Sequence, residues 1–179
     1  GGCACAGASG NVLLGYAVSR CITTAICNVA LGFMAHDRSC TGCYNVSIGS
    51  ETATNVTAGN DNIFIGRGAA KGATSCCIQS DNNIAIGQCA MYDNTSNCMG
   101  GYNIAIGVIA LKCITSIGNI AIGSCAGEYS TSASCNVFLG YQAGKCNCTG
   151  DQNIFIGQEA GRNNCNGCKN FFGGYLTGY

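Results

Sequence analysis

The pentapeptide NIAIG at Asn103–Gly107 decides the fold, because variants of it recur ten times along the 179-residue chain. Each copy reads Asn, apolar, variable, apolar, Gly, and a small residue such as Ala110 follows three positions after the Gly. Successive copies are separated by 17, 17, 17, 21, 20, 16, 17, 17 and 17 residues. The copies begin at Asn11, Asn28, Asn45, Asn62, Asn83, Asn103, Asn119, Asn136, Asn153 and Asn170.

This period predicts a β-solenoid. Seventeen residues are too few for a repeat of two helices, and Val or Ile spaced by two is strand periodicity. We therefore expect an all-β fold in which residues 1–179 form a single parallel β-solenoid, or β-roll, of about ten coils of 16–21 residues. Stacked about 4.8 Å apart, ten coils make a rod about 48 Å long. The asparagines would form a hydrogen-bonded structural ladder.

The two faces of each strand are both apolar, which leaves their orientation open. We expect the Val and Ile pair to stack in the interior and the small column to fill the narrow side. The middle strand residue, such as Phe64 or Ala105, would then point the other way. It would line a second layer of the same coil or pack against a neighbouring chain, and the short coil favours the neighbouring chain. This predicts lateral self-association.

The composition excludes several classes of function. Charged residues make up 9 % of the chain, against roughly 25 % in an average soluble domain, and the net charge is zero. There is no basic surface for nucleic acid, and the longest apolar run, about eight residues around Val108–Leu111, is too short for a membrane span. Proline, which cannot donate to a ladder, is absent.

The 17 cysteines indicate a disulfide-stapled protein from an oxidising compartment. One coil rise lies within the Cα separation of about 4.4–6.8 Å that disulfides require. We expect rungs between adjacent coils, for example Cys27 with Cys43, Cys98 with Cys113, and Cys148 with Cys165. The two C-x-x-C pairs, at Cys40 and Cys165, lie too far apart along a rod to form one zinc site.

The repeats resemble those of trimeric autotransporter adhesin heads and the NTAxGxxA repeats of phage and algal-virus tail fibres. The strings at Asn83, Asn103 and Asn119 carry this resemblance best, and it extends over essentially the whole chain. It implies a β-roll, often trimeric, that serves as a stalk or an adhesive surface. The coils are longer here than in the adhesin repeat, and the cysteine content is foreign to that family.

No catalytic constellation or cofactor motif is apparent, so we expect neither enzyme activity nor a cofactor. His36 is the only histidine and is expected in an exposed loop. Three aspartates precede ladder asparagines and could bind calcium, although solvated turns are the simpler interpretation: Asp61, Asp81 and Asp151.

Three sequons lie in expected loops and are candidate glycosylation sites: Asn55, Asn94 and Asn147. A fourth match, at Asn45, occupies the ladder and is expected to be inaccessible.

These features predict a structural subunit of an extracellular or virion-surface fibre that assembles head to tail as a homopolymer. Neither end carries a charged cap of the kind that keeps solenoids monomeric. Joining the end of one chain to the start of the next gives an Asn170-to-Asn11 interval of 20, equal to the interval from Asn83 to Asn103. Candidate intersubunit cysteines are Cys3, Cys5, Cys165 and Cys168.

Three alternatives stay open at this point. The chain could be a receptor-binding adhesin or tail-fibre segment, as a single copy or as a trimer. It could be an ice-binding solenoid, although its Thr residues hold no constant phase in the repeat. Its ends could also be truncation points of a longer repeat protein, and a start at Gly rather than Met is compatible with processing.

Overall fold

The computed structural model describes residues 7–72, 81–92 and 99–179. Ten three-residue strands lie within these ranges, each directly after a repeat asparagine, and no helix is found there. In chain order they are β1 Val12–Leu14, β2 Val29–Leu31, β3 Val46–Ile48, β4 Ile63–Ile65, β5 Ile84–Ile86, β6 Ile104–Ile106, β7 Ile120–Ile122, β8 Val137–Leu139, β9 Ile154–Ile156 and β10 Phe171–Gly173.

The strands form one parallel sheet in which each strand pairs with the next in the chain. The register never slips: Ile104 pairs with Ile120, Ala105 with Ala121, and so on along all nine junctions. The prediction of an all-β parallel β-solenoid is therefore confirmed. The solenoid has about nine turns, one for each junction between consecutive strands.

Backbone hydrogen bonds between coils continue beyond the short strands. In the sixth coil, the Gly107 N–H donates to Ile86 O at 2.8 Å and the Leu111 N–H donates to Ala126 O at 3.0 Å. Equivalent bonds recur at every junction. The coils are therefore held together along a much longer path than the three strand residues alone.

Tight corners depend on residues with left-handed backbone angles. The residue before each ladder asparagine has φ between 56° and 71° in all ten coils, although eight of the ten are not glycine. The repeat glycine has φ between 124° and 140°. A Cβ built on Gly107 would lie 2.4 Å from Gly123 O in the next coil, so glycine is required there by both conformation and space.

The strand residues face the opposite way from the orientation predicted by the sequence. The middle residue is buried in β2–β9, whereas the first and third residues are partly or fully exposed. The expectation that Val and Ile stack inside was wrong. A three-residue strand places two side chains on one side and one on the other. The inside of a narrow coil has room for only the single row.

The interior is filled by complementary sizes, within most coils or, as at Gly127, between neighbouring coils. Phe138 and Phe155 are fully buried, and the residues six positions later are Gly144 and Gly161. A Cβ on Gly144 would lie 2.3 Å from the Phe138 ring. Where the strand has Ala105, the residue six positions later is the fully buried Leu111. A large residue on one wall is thus balanced by a small one on the other, which gives the close packing of protein interiors.

Candidate functional site

The repeat asparagines form a continuous ladder through the rod. The Oδ1 atom of each asparagine accepts a hydrogen bond from the backbone N–H of the next, at 2.8–3.0 Å, at all nine junctions. Several side-chain amides also donate to a carbonyl of the following coil, as Asn45 Nδ2 does to Gly59 O at 2.7 Å. The asparagine side chains are therefore occupied by hydrogen bonds within the solenoid.

The outer side of the sheet is an uncharged hydrophobic surface, which we call the apolar face. It consists of the first and third residues of the ten strands, twenty positions occupied by eleven Ile, four Val, three Leu, one Phe and one Gly. Exposed fractions are 42 % at Ile122 and at Ile154 and reach 70 % at Leu14 in the first strand. Soluble monomers seldom leave so regular an apolar surface uncovered.

Two exposed columns border the apolar face, one before and one after each strand. The residue before the ladder asparagine forms the leading column: Gly10, Cys27, Tyr44, Asp61, Asn82, Tyr102, Gly118, Cys135, Gln152 and Lys169. The residue after the repeat glycine forms the trailing column: Tyr16, Phe33, Ser50, Arg67, Gln88, Val108, Ser124, Tyr141, Gln158 and Tyr175. Tyr16 and Phe33 stack in the trailing column, with ring centroids 5.5 Å apart.

The described residues contain no disulfide between them. Of the predicted rungs, Cys148 and Cys165 occupy the same position in consecutive coils, where the Thr149 N–H donates to Cys165 O at 2.9 Å. Burial and the neighbouring Cys165 raise the pKa of the Cys148 thiol.

The other predicted cysteine pairs are out of register or include cysteines outside the described residues. Cys27 is aligned with Tyr44, and Cys43 is aligned with Ile26, so Cys27 and Cys43 stand in columns that differ by one residue. Cys98, Cys3 and Cys5 lie outside the described residues. The remaining candidates for an intersubunit bond, Cys165 and Cys168, are exposed.

His36 is fully buried, so the expectation of an exposed loop residue was wrong. It lies inside the rod, where its Nδ1 is 2.9 Å from the hydroxyl of Ser47. Its Nε2 has no hydrogen-bond partner in the described structure. Burial lowers the pKa of His36 to about 4. A neutral imidazole enclosed in the core cannot act on a molecule in solution.

Two of the three candidate glycosylation sites are also interior. Asn55 and Asn147 are buried, and their amide nitrogens donate to Gly72 O at 3.0 Å and Gly150 O at 2.6 Å. An amide held in this way is unavailable to a glycan in the folded coil. Asn94 lies outside the described residues, and Asn45 is buried in the ladder.

The aspartates near the ladder bind the backbone of neighbouring coils. Asp81 Oδ1 accepts the Asn60 N–H at 2.7 Å, and Asp151 Oδ1 accepts the Ser134 N–H at 2.7 Å. In residues 7–72, 81–92 and 99–179, no three His, Cys, Asp or Glu side chains are grouped so as to hold a metal ion. The same ranges contain no helix long and apolar enough to cross a bilayer.

A cavity of about 200 Å³ lies among the return loops of the first four coils. Four of its five charged lining residues are paired: Arg20 makes a bidentate bond to the buried Asp37, at 2.9 and 2.6 Å, and Lys71 pairs with Glu51. Burial alone would raise the pKa of Asp37, but the hydrogen bond and charge of Arg20 outweigh burial and hold it below its ordinary value. Arg38, the fifth charged residue of the lining, has no ion-pair partner among the described residues, so the lining offers a ligand one uncompensated charge.

Comparison with known proteins gives no relative from which a function can be transferred. No protein-family model, curated protein or solved structure matches the chain.

Proposed function

We propose that this chain is a structural subunit of an extracellular or virion-surface fibre, in which copies stack end to end as further coils of one solenoid. The observation that carries the proposal is the unbroken translational repeat of inter-coil bonds. The Asn ladder and the backbone ladders at Gly107 and Leu111 recur at all nine junctions. The donors on one side of any coil therefore match the acceptors on the opposite side of any other coil.

End-to-end stacking would continue this pattern without a new kind of contact. The Oδ1 atom of Asn170, which accepts no bond among the described residues, would accept the backbone N–H of Asn11 of the next copy. An open sheet edge of this kind is a template for pairing, and a contact that does not close generates a filament.

Disulfide rungs between coils would make such a fibre resistant to unfolding, and the alignment of Cys148 with Cys165 in consecutive coils supports them. Exposed Cys165 and Cys168 are suited to a bond with Cys3 or Cys5 of the next copy. Abundant cysteine also supports the extracellular or virion location, because disulfides persist in oxidising compartments. A non-enzymatic role fits the burial of the only histidine, His36.

Electron microscopy and non-reducing electrophoresis of purified protein test the proposal. We expect unbranched filaments that lengthen with protein concentration, and a ladder of 18.1 kDa steps that collapses on reduction. Asn170→Ala, which removes the acceptor proposed for the Asn11 N–H of the next copy, should shorten the filaments, whereas Ser132→Ala on an exposed return loop should not. Discrete particles of constant length at every concentration would contradict end-to-end growth.

The second candidate is a receptor-binding adhesin or tail-fibre segment, and the exposed aromatic residues of the trailing column favour it. Tyr16 is 74 % and Tyr175 is 67 % exposed, and aromatic side chains are enriched where proteins bind partners. Discrete trimers in the microscope, combined with binding to a cell surface or glycan array that Tyr16→Ser abolishes, would favour this candidate over the fibre.

A further inference from the structure

We propose that the apolar face is covered by a second copy of this chain, in a side-by-side pair whose two-fold axis runs parallel to the rods. This pairing is lateral and does not depend on end-to-end growth. It would bring two solenoids together sheet against sheet, with the coils of both copies level with one another.

The size and chemistry of the apolar face suit a protein partner of the same kind. Ten strands at about 4.8 Å, with two outward side chains each, make a surface of about 48 by 11 Å. A face-to-face pair would bury roughly 1,000 Å² in total, the area at which specific interfaces begin. None of its twenty positions is charged, so it offers nothing to nucleic acid or to anionic headgroups.

A second copy also matches the surface in shape. Because the middle residue of each strand points inward, a groove runs along the rod between the columns of first and third residues. A column from another copy has the same coil spacing and fits this groove at every level, as in a steric zipper. A single opposing sheet covers a flat face fully, whereas a three-fold arrangement would leave a wedge between the faces.

The bordering columns select the parallel two-fold arrangement. Rotation about an axis along the rod sets the leading column of one copy against the trailing column of the other, at the same coil. Asp61 then stands opposite Arg67, and because the axis is two-fold this pairing occurs twice. Neither residue has an ion-pair partner among the described residues of its own chain.

Size complementarity at the first three coils agrees with this arrangement. Gly10 would stand opposite Tyr16, Cys27 opposite Phe33, and Tyr44 opposite Ser50. In an antiparallel pair, Asp61 and Arg67 would instead stand opposite the uncharged Gly118 and Ser124. The parallel pair therefore uses both charges, and the antiparallel pair leaves both unmatched.

Analytical ultracentrifugation of reduced protein over a concentration series tests the covered face, with every chain carrying Asn170→Ala to remove the acceptor proposed for end-to-end stacking. We expect a dimer for this background and for the same background with Ser132→Lys, an exposed return-loop control. Ile122→Lys and Ile154→Lys, which place a charge on the apolar face, should sediment as monomers with an unchanged β circular dichroism spectrum. In filaments, the same variants should halve the width and leave growth in length intact, which separates this inference from the proposed fibre.

A charge exchange tests the geometry. Asp61→Arg and Arg67→Asp should each raise the dimer dissociation constant by at least about tenfold, because each sets like charges opposite one another at two places. The double variant should restore dimerisation, since both pairs form again with reversed polarity. Several outcomes would overturn the inference: a monomer at about 1 mM, a trimer, a double variant without rescue, or a monomer whose apolar face binds neutral lipid vesicles.

Discussion

Asn45 Oδ1 lies 3.0 Å from the backbone nitrogen of Asn62, one coil further along the rod. Both side chains are buried, and the same bond joins every pair of consecutive repeat asparagines. The bond satisfies a backbone donor at the start of each strand with an acceptor from the preceding coil. Each asparagine therefore fixes the register of the strand that follows it in the neighbouring coil.

Replacing a ladder asparagine should cost more than replacing an exposed one. Asn103→Ala removes the acceptor of the Asn119 N–H at 2.9 Å and the donor to Ser116 O at 2.9 Å. Buried polar groups left without partners should lower the free energy of unfolding by about 2–4 kcal/mol, measured by urea titration of dilute protein. Asn163→Ala, at an exposed position, is the matched control. Equal stability of the two variants would show that the ladder contributes nothing.

The balance of sizes between Phe138 and Gly144 predicts a rescue. Phe138→Ala empties the space between the coil walls and should cost about 3–5 kcal/mol of stability. Adding Gly144→Leu copies the Ala105 and Leu111 arrangement of the sixth coil, where leucine is accommodated at a φ of 47°. We expect the double variant to recover more than half of the loss in the same urea titration. A double variant less stable than Phe138→Ala would refute size complementarity within the coil.

The sequence was sufficient to predict the solenoid, since ten copies of one motif define the strands, the register and the ladder. It was insufficient to orient the strands. Ala105 and its neighbours Ile104 and Ile106 are all apolar. The strand therefore lacks the alternation of polar and apolar residues that would show which side faces solvent. The pairing of Phe138 with Gly144 was the available signal, because a side chain matched by glycine six residues later must point inward.

The buried return-loop residues were missed for a related reason. Asn55 and Asn147 resemble ordinary sequon asparagines, and His36 resembles an ordinary loop histidine. Their burial depends on coil corners formed by non-glycine residues with positive φ, such as His36 itself at 54°. Positive φ is uncommon outside glycine, and composition alone does not predict that stacked coils will enforce it.

Oxidation should join Cys148 to Cys165 before other described thiols, because they occupy equivalent positions in adjacent coils. Mild oxidant followed by peptide mapping without reduction should recover this cross-link. Cys89 and Cys125 also share a repeat position but are separated by the coil that contains Ile109, so they should not be linked to each other. Because the pKa of the Cys148 thiol is raised, the rate should increase as the pH rises through the alkaline range. A link between Cys89 and Cys125 under these conditions would contradict the coil register.

Burial of His36 should make the fold sensitive to mild acid. Its pKa is about 4 in the folded chain against about 6.5 in the unfolded chain, so between these values the unfolded chain binds the additional proton. The free energy of unfolding is therefore highest, as far as His36 determines it, above about pH 6.5. It falls as the pH drops from 6.5 towards 4, and His36 causes no further change below about pH 4. The loss attributable to this group is at most about 3 kcal/mol.

Urea titrations of the natural chain and of a matched double variant, at intervals between pH 7 and 4, test this dependence. His36→Leu with Ser47→Ala copies Leu111 and Ala121, which occupy the same two positions at another junction and are fully buried. It removes the imidazole without leaving the Ser47 hydroxyl unpaired. As the pH falls, we expect the unfolding free energy of the natural chain to decrease relative to that of the variant. Only the natural chain contains a buried group that takes up a proton when the chain unfolds. Parallel pH profiles for the two proteins would mean that His36 is accessible to protons in the folded rod, which its complete enclosure does not allow.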